Sequence, residues 1–292
     1  MTTKILLAAA FLFQILLSQK LSHPLRAESS DNILRKSNST ASFPDTVKII
    51  AILVQFQPDT DPRTSGDGRF DLSPATERII DSPPHDSAYF ADHFVFAQNY
   101  YSKASNGKQH ISTMVFGKVI TLKKQMKEYA PVNSNLPLVE MIKEAWYTVD
   151  SLYPGEIPFQ QYSLFTVFHA GVGKDIDLRA SLGYDPTPLD IPSLYFSLSS
   201  FQKLLGNSFD GISLKNSSFK IPNSVVLPET EVRRISSDFV LELSINGLLI
   251  ASIGSHLGLP DLFDTKTGKT AIGRFGLMDG QSIFSFSGIC IE

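Results

Sequence analysis

The sequence predicts a mixed α/β (α+β) domain in which helices pack on a mixed sheet. Two nearly continuous apolar runs, 47–56 and 162–169, have the composition of buried strands. Two further segments, 87–105 and 138–152, repeat their apolar residues at helical spacing. Because strand-like and helix-like segments alternate along the chain, we expect one layered domain.

Length and composition limit the classes of protein to consider. The 292 residues are 42% hydrophobic and 19% charged, which fits a globular domain with a sizeable core. The net charge is −3 and no basic stripe is visible, so we expect no nucleic-acid partner. Cys290 is the only cysteine, so an internal disulfide is excluded and the core must supply the stability.

The N-terminus predicts export. Lys4 precedes an apolar run over residues 5–17, which is too short for a typical membrane span and fits the central region of a signal peptide. We therefore predict a signal peptide at 1–27, a flexible polar leader at 28–45 and a folded domain at 46–292. A short N-terminal anchor helix is the alternative. The signal peptide implies a secreted or periplasmic protein without a stable membrane span after cleavage.

The elements of the first half follow from periodicity and turn residues. The strand at 47–56 precedes a loop rich in Pro and Gly at 57–68. The helix at 87–105 is expected to end near Asn106 and Gly107, a pair that suits a left-handed stop. Alternating apolar and polar residues predict a strand at 110–122, and the helix at 138–152 has one apolar face.

The second half is less regular. The strand at 162–169 runs into Gly171 and Gly173, and short strands are expected at 193–198 and 224–227 in an otherwise irregular region. The last long helix is predicted at 238–256, with Asp238 as its N-cap.

The end of that helix has the frame of a zinc-protease site. Metzincin-type proteases carry H-E-x-x-H-x-x-G-x-x-H and, further on, a Met-turn. If Gly258 is the motif glycine, Asp261 falls on the third-ligand position and Met278 on the Met-turn. The alternative is an ordinary helix stop followed by a turn.

At the other positions of the frame, the side chains that would bind zinc or act as the base are absent. The first-ligand position is Ala251, which has no donor atom, and the second is Ser255, a poor zinc ligand. The general-base position is Ser252, which cannot accept a proton near neutral pH. Only Asp261 remains a good ligand, so the residues predict neither ordinary zinc affinity nor hydrolysis.

Five segments together resemble the catalytic domain of the immune inhibitor A family of secreted bacterial metallopeptidases (peptidase family M-six). In that family the site typically reads H-E-F-G-H-x-L-G-L-P-D-L-Y-D. The resembling segments lie within roughly residues 46–288 and are 49–56, 99–108, 168–171, 256–264 and 276–280. The resemblance implies a metzincin-like zinc-protease catalytic domain. Because family members continue beyond residue 292, it also implies that the C-terminal part is missing.

The resemblance assigns the family's zinc histidines to Ala251 and Ser255, its base to Ser252, its third ligand to Asp261 and its Met-turn to Met278. The leading hypothesis is therefore a non-catalytic homologue without a cofactor, which binds a peptide or protein along an inherited cleft edge. One alternative is an active zinc endopeptidase that uses displaced ligands, namely His256, His169 and Asp261. Another is a truncated product without function.

Calcium is a further candidate ligand. Asp175 and Asp177 form a D-x-D pair, and a second acidic group lies in the loop after the first strand at Asp59, Asp61 and Asp67. The commoner explanation for both groups is a solvent-exposed loop, so no calcium site is assigned. His169 is more simply explained as a hydrogen-bonded structural histidine.

Overall fold

A computed structural model describes residues 45–176, 178–236, 239–264, 269–272 and 276–279. The predicted signal peptide, the leader up to residue 44, Asp177, Asp238 and Cys290 lie outside these residues. The described strands are β1 (Thr46–Gln55), β2 (His110–Thr121), β3 (Leu164–Val172), β4 (Leu194–Phe196), β5 (Ile212–Ser213), β6 (Lys220–Ile221), β7 (Ser224–Thr230), β8 (Arg233–Ser236) and β9 (Phe239–Leu241). The helices are α1 (Ser87–Ala104), α2 (Leu136–Leu152), α3 (Arg179–Leu182), α4 (Leu198–Leu205) and α5 (Asn246–His256).

A five-stranded mixed sheet with packed helices confirms the predicted α/β class. The strand order is β2-β1-β3-β7-β4. The first four of these strands are parallel to their neighbours, and β4 runs antiparallel to β7 at the edge. In the centre, Ile49 pairs with Leu164 and Val54 with His169. Two shorter hairpins, β5–β6 and β8–β9, lie outside this sheet.

Helices cover both faces of the sheet, which explains why β1 is almost continuously apolar. On one face, Phe90 and Phe94 of α1 pack with Phe168 of β3 and with the apolar residues of α5. On the opposite face, Trp146 of α2 packs edge-on against Phe165 of β3. Each face therefore has its own buried core. No described helix combines the length and apolar character that crossing a bilayer requires.

Local signals set the ends of α1 as predicted. The carboxylate of Asp86 accepts hydrogen bonds from the backbone N–H groups of Ala88 and Tyr89 at 2.9 and 3.1 Å, which caps the free N-terminal donors. At the other end, Asn106 and Gly107 have φ of 56° and 77°. These left-handed residues end the helix.

The predicted long helix at 238–256 is wrong in its first half. Residues 239–241 form β9, which pairs with β8, and α5 begins only at Asn246. The backbone N–H of Ile245 donates to Asp81 Oδ2 at 3.1 Å, so a distant side chain holds the start of the helix. The region predicted to be irregular also contains α4, where the Ser197 hydroxyl accepts the Ser200 N–H at 3.1 Å as an N-cap.

Candidate functional site

Helix α5 carries the residues of the zinc-protease frame and is deeply buried. Every residue from Gly247 to Ser255 is buried, between α1 and the β4 and β7 edge of the sheet. Tyr101 of α1 donates its hydroxyl to the carbonyl of Ile250 at 2.6 Å. His93 Nδ1 lies 2.8 Å from Asn246 Oδ1 at the first turn. These two contacts fix α5 against α1.

The helix ends in a Schellman motif. Gly258 has φ of 89°. Its N–H donates to the carbonyl of Ser255 at 3.1 Å, and the N–H of Leu259 donates to the carbonyl of Gly254 at 2.9 Å. Gly258 therefore turns the chain sharply, and Asp261 follows three residues after the turn.

The segment that contains Met278 passes directly against α5. Met278 is 3% exposed, and its carbonyl accepts the N–H of Leu262 at 2.9 Å. A Cβ placed on Gly254 would lie 2.9 Å from Met278 Sδ. The N–H of Asp279 donates to the carbonyl of Gly276 at 3.0 Å, which closes a turn around Met278. The structure thus brings the Met-turn position beside the helix that carries the ligand positions.

The ligand and base positions themselves lack the chemistry of a zinc site. Ala251 and Ser252 are completely buried, and Ser255 is 2% exposed. The Ser252 hydroxyl has no hydrogen-bond partner among the described residues. Both carboxylate oxygens of Asp261 are shielded from solvent. The two imidazoles and the carboxylate base that a zinc hydrolase needs are absent from these positions.

The histidines predicted as substitute ligands are both buried and each has a partner of its own. His256 Nδ1 lies 3.4 Å from the hydroxyl of Tyr195 in β4, and burial lowers the pKa of His256 to about 4. His169 is fully buried in β3, its Nδ1 is 3.0 Å from the carbonyl of Ala170, and burial lowers its pKa as well. Within the described parts of the chain, no three His, Cys, Asp or Glu side chains are arranged to hold a metal ion.

The acidic group in the loop after β1 organises that loop. Asp59 is 3% exposed; its Oδ1 accepts the N–H of Asp61 at 2.9 Å and its Oδ2 accepts the hydroxyl of Thr64 at 3.1 Å. Asp61 binds the Arg63 guanidinium at 2.7 Å, and the carboxylate of Asp67 accepts the N–H of Arg69 at 2.9 Å. The expectation that these aspartates are all solvent-exposed is therefore wrong for Asp59.

The same expectation is wrong for Asp175, which is completely buried. Its carboxylate accepts the N–H of Ser193 at 3.0 Å and the hydroxyl of Ser193 at 2.8 Å. It lies beside Glu231, which is also completely buried. A Cβ on Gly173 would lie 1.8 Å from Glu231 Oε1 and 2.7 Å from Asp175 Oδ2, so only glycine leaves room for the two carboxyl groups.

Sequence reasoning missed the buried charges around Asp175. Burial raises the pKa of Glu231 well above its usual value, and the neighbouring Asp175 carboxylate raises it further. Arg233 lies 3.6 Å from Asp190 and donates to the Thr187 hydroxyl at 2.9 Å. The sequence did contain a signal for these buried charges, namely the alternation Glu229-x-Glu231-x-Arg233. Charged side chains on alternate residues are unusual beside a buried strand.

A second buried network was also missed. His85 Nδ1 lies 2.5 Å from Glu229 Oε1, and His85 Nε2 lies 2.9 Å from the carbonyl of Asp81. Glu229 also accepts the N–H of Gly171 at 2.7 Å. Asp81 in turn binds the N–H of Ile245 at the start of α5. The network joins the loop before α1, the ends of β3 and β7, and the helix of the candidate site.

Comparison with known proteins adds no identification. No protein-family model matches the chain, and no curated protein shows a significant match to it. Function must therefore be inferred from the motif frame and from the geometry around α5.

Proposed function

We propose that this chain is a non-catalytic homologue of a secreted, metzincin-like zinc metallopeptidase of the immune inhibitor A type. It binds peptide or protein segments without hydrolysing them. One observation carries the proposal. After α5 the chain keeps the turn glycine, the Asp261 position and an adjacent methionine. Within α5 it has Ala251, Ser252 and Ser255 where a protease needs two ligands and a base. The apolar run at 5–17 supports export of the protein.

The absence of two zinc ligands and of the base explains why we expect no peptide-bond hydrolysis. A catalytic zinc ion uses three protein ligands and lowers the pKa of a bound water to about 7. With one ligand left at the frame positions, the ion would be held too weakly to activate water. Ser252 could not remove the proton from that water even if an ion were bound. Peptide-bond hydrolysis through this site is therefore not expected.

The edge of the sheet supports the binding part of the proposal. Strand β4 is the last strand of the sheet and pairs with β7. It packs against α5, and Tyr195 of β4 lies beside His256. An extended peptide binds to a sheet edge through backbone hydrogen bonds, and the neighbouring side chains then select its sequence. The outer edge of β4, beside the half-buried His256 at the end of α5, is accordingly the proposed peptide site.

Zinc content and casein cleavage test the proposal directly. Protein purified without added metal should contain much less than one zinc per chain and should leave casein intact, while immobilised protein retains casein. One tightly held zinc per chain together with chelator-sensitive cleavage would overturn the proposal. In that case, an inactive His256→Ala variant would identify a site built from displaced ligands.

A restored variant tests whether the frame descends from a zinc site. The substitutions Ala251→His, Ser252→Glu and Ser255→His enlarge buried positions, so we expect the variant to unfold at a lower temperature than the unchanged protein. Zinc should raise the Tm of this variant but not that of the unchanged protein, because binding to the folded state stabilises it. The same variant with Asp261→Asn is the matched control, and zinc should raise its Tm by a smaller amount. If zinc leaves the Tm of the restored variant unchanged, the proposed ancestry is contradicted.

A further inference from the structure

A groove lies between α2 and the segment that links α4 to β5. The wall formed by α2 consists of residues 143, 144, 147 and 148, which lie one turn apart on its solvent side. The opposite wall is formed by Leu205, residues 208–211 and Ser213, and Lys123 also lines the space. The volume is about 670 Å³, within the range of roughly 300–1,000 Å³ that is typical of small-molecule sites.

The charges in this groove are unbalanced. The Asp210 carboxylate binds the Lys220 ammonium group through both oxygens at 2.6 Å. The Glu144 carboxylate accepts hydrogen bonds from the backbone N–H of Lys123 and from the hydroxyl of Tyr129, each at 2.7 Å. Within the described part of the chain, the ammonium groups of Lys123 and Lys143 have no carboxylate at salt-bridge distance. The groove thus offers two cations and one carboxylate that has no cationic partner.

Apolar surface lies beside these cations. Tyr147 is 47% exposed although it is adjacent to the completely buried Trp146. Leu205 and Phe209 are half-buried on the opposite wall. Aromatic rings pack well in an offset or edge-on arrangement on such side chains, and an ammonium group attracts an anionic substituent on the ring.

We propose that this groove is a binding site for a small anionic aromatic molecule, whose ring packs against Tyr147 and Phe209 and whose charge faces Lys143 and Lys123. The site is separate from the proposed peptide site. Its main wall, α2, packs on the face of the sheet opposite to α5. Failure of the proposed function would therefore leave this inference intact.

Fluorescence titration with anilinonaphthalene sulfonate, an anionic aromatic probe, tests the proposal. We expect saturable binding of one molecule per chain. Lys143→Gln and Lys123→Gln should each weaken binding by about two- to fivefold, the effect of one solvent-exposed charge interaction. Lys108→Gln, which changes an exposed lysine outside the groove, is the matched control and should bind as tightly as the unchanged protein. Uncharged phenylnaphthylamine should not distinguish the lysine variants.

Lysine acetylation followed by mass spectrometry locates the bound probe. Bound anilinonaphthalene sulfonate should slow acetylation of Lys123 and Lys143 and leave Lys108 unchanged. Binding with no protection of the two groove lysines would overturn the proposal, as would an equal loss of affinity in all three lysine variants. Absence of saturable binding would overturn it as well.

Discussion

Met278 lies against Gly254 so closely that a Cβ on the glycine would be 2.9 Å from the methionine sulfur. The same Cβ would lie 3.2 Å from the hydroxyl of Tyr101, which is hydrogen-bonded to the carbonyl of Ile250. The close approach of the segment at 276–279 to α5 therefore depends on glycine at this position. This contact joins the Met-turn position to the helix of the ligand positions.

Gly254→Ala should lower the free energy of unfolding by about 1 kcal/mol. Alanine gains about 1 kcal/mol in helix propensity, but overpacking of a buried contact typically costs about 1–3 kcal/mol. Urea unfolding of the two proteins measures the difference. In a Met278→Ala background the same substitution should cost less, because the sulfur is gone. Equal costs in both backgrounds would show that the methionine does not limit the space.

Glu231→Gln should stabilise the protein, and increasingly so as the pH rises. The pKa of Glu231 is raised in the folded state by burial and by Asp175, so the unfolded chain loses this proton first. Folding stability therefore falls as the pH rises above the ordinary glutamate value of about 4.5. Glutamine does not titrate and keeps the shape of the side chain. Urea unfolding at pH values below and above this point gives the gain at each pH.

Glu140→Gln is the matched control for that experiment, because Glu140 is exposed and pairs with the exposed end of Lys124 at 3.3 Å. It should change stability little, because an exposed ion pair contributes little to folding. A gain for Glu231→Gln that stays constant with pH would argue against a raised pKa of Glu231 in the folded protein.

His85→Gln should remove a stabilising contribution that is present at low pH. Burial alone lowers the pKa of His85, but the hydrogen bond to Glu229, the Asp81 carbonyl and the nearby carboxylates outweigh burial and raise it. A raised histidine pKa stabilises the fold below the unfolded value of about 6.5, and this contribution is lost as the pH rises through the folded value. The difference in unfolding free energy between the two proteins should shrink over that window.

The exposed His110 provides the comparison, and His110→Gln should change stability little because its side chain lies on the surface. A His85→Gln cost that grows with increasing pH would have the wrong sign. It would mean that His85 is neutral in the folded protein and that Glu229 accepts a hydrogen bond from a neutral ring.

For His256 we expect the opposite change of stability with pH, and at more acidic pH values. Burial lowers the pKa of His256 to about 4, so the unfolded chain takes up a proton before the folded protein does. The stability of the unchanged protein should fall as the pH drops from about 6.5 to about 4, by at most about 3 kcal/mol. His256→Gln should abolish this part of the acid sensitivity in urea unfolding. An unchanged acid profile would show that His256 is protonated in the fold.

Much of the fold was predictable because the strong signals are local. The apolar run of β1, the helical periodicity of α1 and α2, and the left-handed stop at Asn106 and Gly107 each depend on neighbouring residues. The turn at Gly258 belongs to the same class, because the Schellman motif is completed within six consecutive residues.

The less successful predictions concern contacts between distant residues. The start of α5 is set by Asp81, which lies 164 residues away from Ile245 in the chain. The apolar stretch at 239–256 is compatible with either a helix or a strand. Its first part forms the strand β9 because it pairs with β8. The burial of Asp175 beside Glu231 likewise depends on the approach of the ends of β3 and β7.

By itself, the sequence determined which residues occupy the proposed zinc-protease frame, and thus that two imidazole ligands and a carboxylate base are absent from its positions. A missing donor atom is a property of the side chain and does not depend on the fold. Only the tertiary structure decided that Met278 meets Gly254, that His256 lies beside Tyr195, and that two carboxyl groups share a buried space. These relationships depend on distances between segments that packing alone brings together.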